Sequence, residues 1–77
     1  MTLTIHIADT IRSVAAGLPR TLVVQKPQAM TIRELAVDVG IPPILIVYAS
    51  VDGVRKRLND VVAGDANIQF FGTLAGG

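Results

Sequence analysis

Seventy-seven residues with a formal net charge of +1 and no cysteine exclude a good deal at once. The charge balance offers no electrostatic footprint for nucleic acid or an acidic membrane; without thiols there is no disulfide, thiolate metal site or cysteine nucleophile; and no apolar run approaches the ~20 residues that cross a bilayer. A chain this short buries only roughly 60% of its unfolded surface, yet 51% of its residues are hydrophobic, so some apolar surface is expected outside, against a partner.

The opening M-T-L-T lacks the basic-then-apolar layout of a signal peptide, and a cytoplasmic protein is expected. Residues 2–8 (T-L-T-I-H-I-A) alternate strictly, Leu3, Ile5 and Ile7 on one face and Thr4 and His6 on the other, which predicts a half-buried strand. Residues 9–17 predict a short helical turn capped by Asp9 or Thr10 and stopped at Gly17, with Pro19 blocking continuation. Residues 21–25 (T-L-V-V-Q), rich in β-branched side chains, predict a second strand antiparallel to the first, broken at Lys26-Pro27.

Residues 31–40 give the clearest element. Thr31 with Glu34 three positions on matches a capping box, in which each residue satisfies an otherwise orphan backbone N–H. Ile32, Leu35, Ala36 and Val39 share one helical stripe, predicted to face the sheet. Gly40 and Pro42-Pro43 stop the helix. Residues 44–48 (I-L-I-V-Y), apolar on both faces, predict a strand. Asp52-Gly53 is a hairpin signal leading into a short basic strand at 54–57. Gly64-Asp65 marks another turn, and residues 67–73 predict the last strand. Pattern alone thus supports an α+β domain with one helix on one sheet.

From Val51 onward the chain resembles the ubiquitin-related sulfur-carrier family, whose members include the small subunit of molybdopterin synthase and the sulfur carrier of the thiamine pathway. The resemblance rests on Val51-Asp52-Gly53 (commonly V-N-G), Gly64-Asp65, the apolar strand at 68–71 and the terminal Gly76-Gly77. Upstream, Ala8, Arg12 and Gly17 are similar to the family's A-x-x-x-R…G stretch, and T-I-R-E-L-A-V-D-V-G-I-P to its helix. The proline pair common before the terminus in the molybdopterin branch is missing, which leaves the pathway open.

The resemblance implies a β-grasp, ubiquitin-like fold: a mixed sheet of four to five strands, the first and last parallel at its centre, with one main helix packed on one face. It divides the chain into a domain at 1–73 and a flexible tail at 74–77. It also implies that the Gly77 carboxylate is adenylated by a ubiquitin-activating-type enzyme using ATP, then converted to a thiocarboxylate that passes sulfur to an acceptor synthase subunit in cofactor biosynthesis. The chain would then be a substrate and carrier, not an enzyme, and would hold no cofactor or metal; ATP belongs to the partner. The tail residues Leu74, Ala75 and Gly76 would let Gly77 enter a narrow active site, since glycine has no Cβ to obstruct it.

Phe71 and Thr73 are expected on the helix-free face with Gln69, and Phe71 beside the tail suits a docking anchor, the alternative being a ring tucked under a loop. His6 lies on the same face and has no carboxylate or cysteine partner in its pattern, so it fits a docking rim or a plain surface position. Arg55-Lys56-Arg57 reads as the charged edge of a strand. A ubiquitin-like modifier, joined through Gly77 to target lysines, would need the same tail; a third reading is an interaction module whose tail is never activated.

Overall fold

The alternation of residues 2–8 becomes strand β1 (Thr2–Ile7), with Leu3, Ile5 and Ile7 buried and the intervening side chains half-exposed on the opposite face. The structure, a computed structural model, describes residues 1–73; the expected tail residues Leu74, Ala75, Gly76 and Gly77 lie outside the described residues. After β1 come a short helix α1 (Asp9–Arg12), β2 (Thr21–Gln25), β3 (Met30–Thr31), helix α2 (Ile32–Asp38), a 3₁₀ turn (Pro43–Leu45), β4 (Tyr48–Val51), β5 (Val54–Lys56), β6 (Val61–Val62) and β7 (Ala66–Phe71).

The main sheet has the order β2-β1-β7-β4-β5. Its central pair, β1 and β7, is parallel, with Ile5 opposite Ile68 and Ile7 opposite Phe70; the outer pairs are antiparallel. First and last strands therefore meet in the middle, as the resemblance implies. Ile68 and Phe70 on β7 join Leu3, Ile5, Ile11, Ile32, Leu35 and Ile41 as the largest fully buried side chains, each worth about 1.5–3 kcal/mol over its exposed state.

Both halves of the capping box form at the start of α2. The Glu34 N–H donates to Thr31 Oγ1 at 3.1 Å, and the Thr31 N–H donates to Glu34 Oε1 at 2.9 Å. That backbone bond, helped by the hydroxyl of Thr31, holds the Glu34 carboxyl below its ordinary range. At the other end, Gly40 takes φ +88° while its N–H reaches the Val37 carbonyl at 3.1 Å and the Ile41 N–H reaches the Ala36 carbonyl at 2.8 Å. This is a Schellman stop, which needs a left-handed residue at Gly40. In the Asp52-Gly53 hairpin both residues have positive φ, +50° and +84°, the type I′ geometry that matches strand twist. Asp52 Oδ1 also accepts the Asn67 N–H at 2.8 Å, tying the turn to β7.

Several expectations are corrected. Of the strand expected at residues 44–48, only Tyr48 is in a strand. Pro42 and Pro43 fix their own φ, and the Leu45 and Ile46 N–H groups bond back to the Pro42 and Pro43 carbonyls, each at 3.0 Å, so the chain turns before β4 begins at Tyr48. Ile44 is left 91% exposed. Helix α1 starts from Ala8 with no side-chain cap; Asp9 instead pairs with Arg12 within the first turn, and the helix ends at Arg12, well before Gly17. Val39 is the C-cap of α2 and only half-buried, because the helix has already unwound there. The two-residue strands β3 and β6, paired antiparallel, went unpredicted. β7 stops at Phe71, leaving Gly72 and Thr73 outside the sheet.

Candidate functional site

β7 alternates as predicted: Ile68 and Phe70 face the helix, while Gln69 and Phe71 face the open side of the sheet. Register then decides what stands beside them. Tyr48 on β4 lies opposite Phe71, and the two rings stack with centroids 4.6 Å apart and planes 17° from parallel. The Arg55 guanidinium of β5 covers the far side of this pair, 4.3 Å from the Tyr48 ring centroid. Phe71 is thus neither free-standing nor tucked under a loop. It is half-buried in a three-residue cation–aromatic cluster on the open face.

One row along, Ser50 Oγ lies 3.4 Å from Gln69 Oε1, and Gln69 sits in register with His6. His6 Nδ1 in turn lies 3.3 Å from Thr21 Oγ1. His6 and Phe71 both line a shallow groove of about 170 Å³ with Ala8 and Gln69, so the structure does bring these two expected docking residues together. Thr73 is exposed but lies beyond the strand and does not extend its face. Arg55 and Lys56 sit on the edge strand, which ends one residue short of the expected Arg57, and with Val47, Tyr48 and Leu58 the basic run lines a wider cleft of about 580 Å³. There the Asp60 carboxylate accepts the Arg57 backbone N–H at 2.8 Å.

Sequence reasoning missed Tyr48, assigned to the end of a continuous apolar strand, and Gly72, read as part of the last one. A signal existed for each: Tyr48 is one of only three aromatic residues in the chain, and Gly72 interrupts an apolar strand end. Among the described residues no three His, Asp or Glu side chains gather as metal ligands, and no helix is long and apolar enough to cross a membrane.

No family model and no curated protein matches the sequence. Four solved chains match the structure. One is the crystal structure of SAMP1 from Haloferax volcanii, similar with a TM-score of 0.68 at 19% identity over 100% of both chains. The fold is the ubiquitin-like β-grasp. At that identity the likeness speaks for the fold alone.

Proposed function

We propose that the chain is a sulfur carrier that works through the carboxylate of Gly77 in the cytoplasm. The observation that supports this reading best is the placing of the Phe71–Tyr48–Arg55 cluster. It stands on the open face at the end of the central strand, where the chain departs toward Gly76-Gly77. A partner that grips the cluster has the departing segment beside it, so docking and delivery share one end of the sheet.

In this reading the cluster, with His6 and the groove beside it, docks a ubiquitin-activating-type enzyme. A Gly77 carboxylate oxygen attacks the α-phosphorus of the partner's ATP and displaces pyrophosphate, giving an acyl-adenylate. Hydrosulfide released by a sulfur donor then attacks the acyl carbon and expels AMP, which leaves a thiocarboxylate for an acceptor synthase subunit of the molybdopterin or thiamine type. The chain itself contributes no catalytic side chain; its parts are an anchor and an accessible carboxylate. Gly76 and Gly77 suit a confined active site because neither presents a Cβ.

The test is intact mass spectrometry after incubation with the cognate activating enzyme, ATP and a sulfur donor. The parent gains the mass of one sulfur replacing one oxygen at Gly77. A chain lacking Gly77, its carboxylate drawn back by about 3.3–3.6 Å, gains nothing, and neither does one extended by an alanine. Thiocarboxylation of the extended chain, or a parent that no such enzyme activates, overturns the reading. Isopeptide linkage of activated Gly77 to target lysines, with no thiocarboxylate formed, would identify a modifier instead.

A further inference from the structure

Three successive residues at the end of β7 hand their backbone groups to three different places. The Phe70 carbonyl accepts the Ala8 N–H at 3.1 Å and the Phe71 carbonyl accepts the Val47 N–H at 2.8 Å. The Gly72 N–H then donates to a side chain, Thr10 Oγ1 of α1, at 3.3 Å. It needs this partner because β1 has already given way to α1, and the chain before β4 is still emerging from the 3₁₀ turn, so no strand lies alongside.

The gap through which Gly72 passes admits backbone only. A Cβ placed there would stand 2.9 Å from Ile11 Cγ1, 3.0 Å from Thr10 Oγ1 and 3.1 Å from the Leu45 carbonyl oxygen. None of these yields cheaply. Ile11 is fully buried, the Thr10 hydroxyl is the anchor itself, and the Leu45 carbonyl is backbone of a turn closed by its own hydrogen bond.

We propose that Gly72 is a positioning residue for activation at the terminus, an inference that rests on the sulfur-carrier reading of Gly77. Squeezed between α1 and the 3₁₀ turn and held at Thr10, it fixes the point and direction from which the following residues set out. Five residues, 73–77, can span at most about 18 Å, so a displaced root shifts everything within the carboxylate's reach. Misplacement of about 1 Å at a reacting group can cost on the order of 100-fold in rate. The docking cluster lies on the sheet face and is untouched by this contact, which separates binding from delivery.

The experiment compares Gly72→Ala, Thr10→Val and Thr10→Ser in ATP–pyrophosphate exchange with the cognate activating enzyme, alongside calorimetric binding and backbone ¹⁵N relaxation. Gly72→Ala lowers kcat by about tenfold or more while KM and Kd stay within about twofold. Thr10→Val, which keeps the shape but removes the acceptor, does the same, and Thr10→Ser behaves as the parent. The parent's Gly72 amide has a sheet-like order parameter near about 0.85, and it falls in Thr10→Val. Unchanged kcat in Gly72→Ala overturns the role, as does an order parameter below about 0.6 in the parent, or a loss of Kd, kcat and stability together in both variants. A parent never activated overturns this role and the carrier reading together; an activated parent with an indifferent Gly72→Ala overturns this role alone.

Discussion

Phe71→Ala tests the proposed docking role apart from folding, because the ring is shared between the sheet and the outside. Half-burial of a phenylalanine is worth about half of the 1.5–3 kcal/mol for full burial, and its stacking on Tyr48 at 4.6 Å adds about 0.5–1.5 kcal/mol. Truncation should therefore destabilise by about 1.3–3 kcal/mol, no more than the lower end of the roughly 3–5 kcal/mol typical of a fully buried phenylalanine. A domain of this length has about 4–12 kcal/mol in hand, so the variant stays folded. An aromatic anchor at the centre of an interface costs about 2 kcal/mol or more when truncated, or roughly thirtyfold in affinity. Urea unfolding gives the first quantity and titration calorimetry against the activating enzyme the second. Tyr48→Ala and the double variant complete a cycle whose coupling in stability should be about 0.5–1.5 kcal/mol. An affinity within about twofold of the parent's in a folded variant would move the interface elsewhere. A stability loss above about 4 kcal/mol would make Phe71 a core residue in all but exposure.

Two further expectations concern the scaffold. Leu35, 0% exposed on the buried stripe of α2, should cost about 2–5 kcal/mol as Leu35→Ala; a change below about 0.5 kcal/mol in urea unfolding would mean that the helix does not seal the sheet. Glu34 is held below its ordinary value of 4.5 by the Thr31 N–H it accepts. Its ionised form therefore stabilises the fold fully above that value, and the contribution is lost as pH falls through the lowered one. The stability gap between parent and Glu34→Gln, followed by urea unfolding from neutral to acid pH, should close in that window; a gap independent of pH would remove Glu34 from the cap.

What the sequence made legible was local. Leu3, Ile5 and Ile7 announce β1 because one face of the strand is buried and the other is not. Thr31 with Glu34, and Asp52 with Gly53, announce their elements because a cap and a type I′ turn each need particular side chains at fixed spacing. The run from Ile44 to Tyr48 misled because uninterrupted apolar residues carry no period, and the Pro42-Pro43 pair before it decided the backbone. β3 and β6 are too short to have a pattern and exist only because the tertiary fold lays them together. The cluster was half legible: alternation placed Phe71 on the open face, but only strand register brings Tyr48 and Arg55 to it. Gly72 required knowing that α1 and the 3₁₀ turn would close around it.

The parallel pairing of β1 with β7 has a consequence for how the protein is made. Thr2 and Asp65, joined by a 2.6 Å hydrogen bond, are 63 positions apart, and β7 stands between β1 and β4 in the sheet. Until β7 has left the ribosome, the main sheet exists only as two separate hairpins, β1–β2 and β4–β5, each too small to persist in water. Folding must wait for this long-range closure, which slows it compared with a helical chain of the same size. The strand that completes the core is the one that carries Phe71 and leads into Gly72. A nascent or clipped chain without β7 would therefore lack both a stable body and the open-face aromatic cluster, and on the proposed reading an activating enzyme would meet only finished molecules.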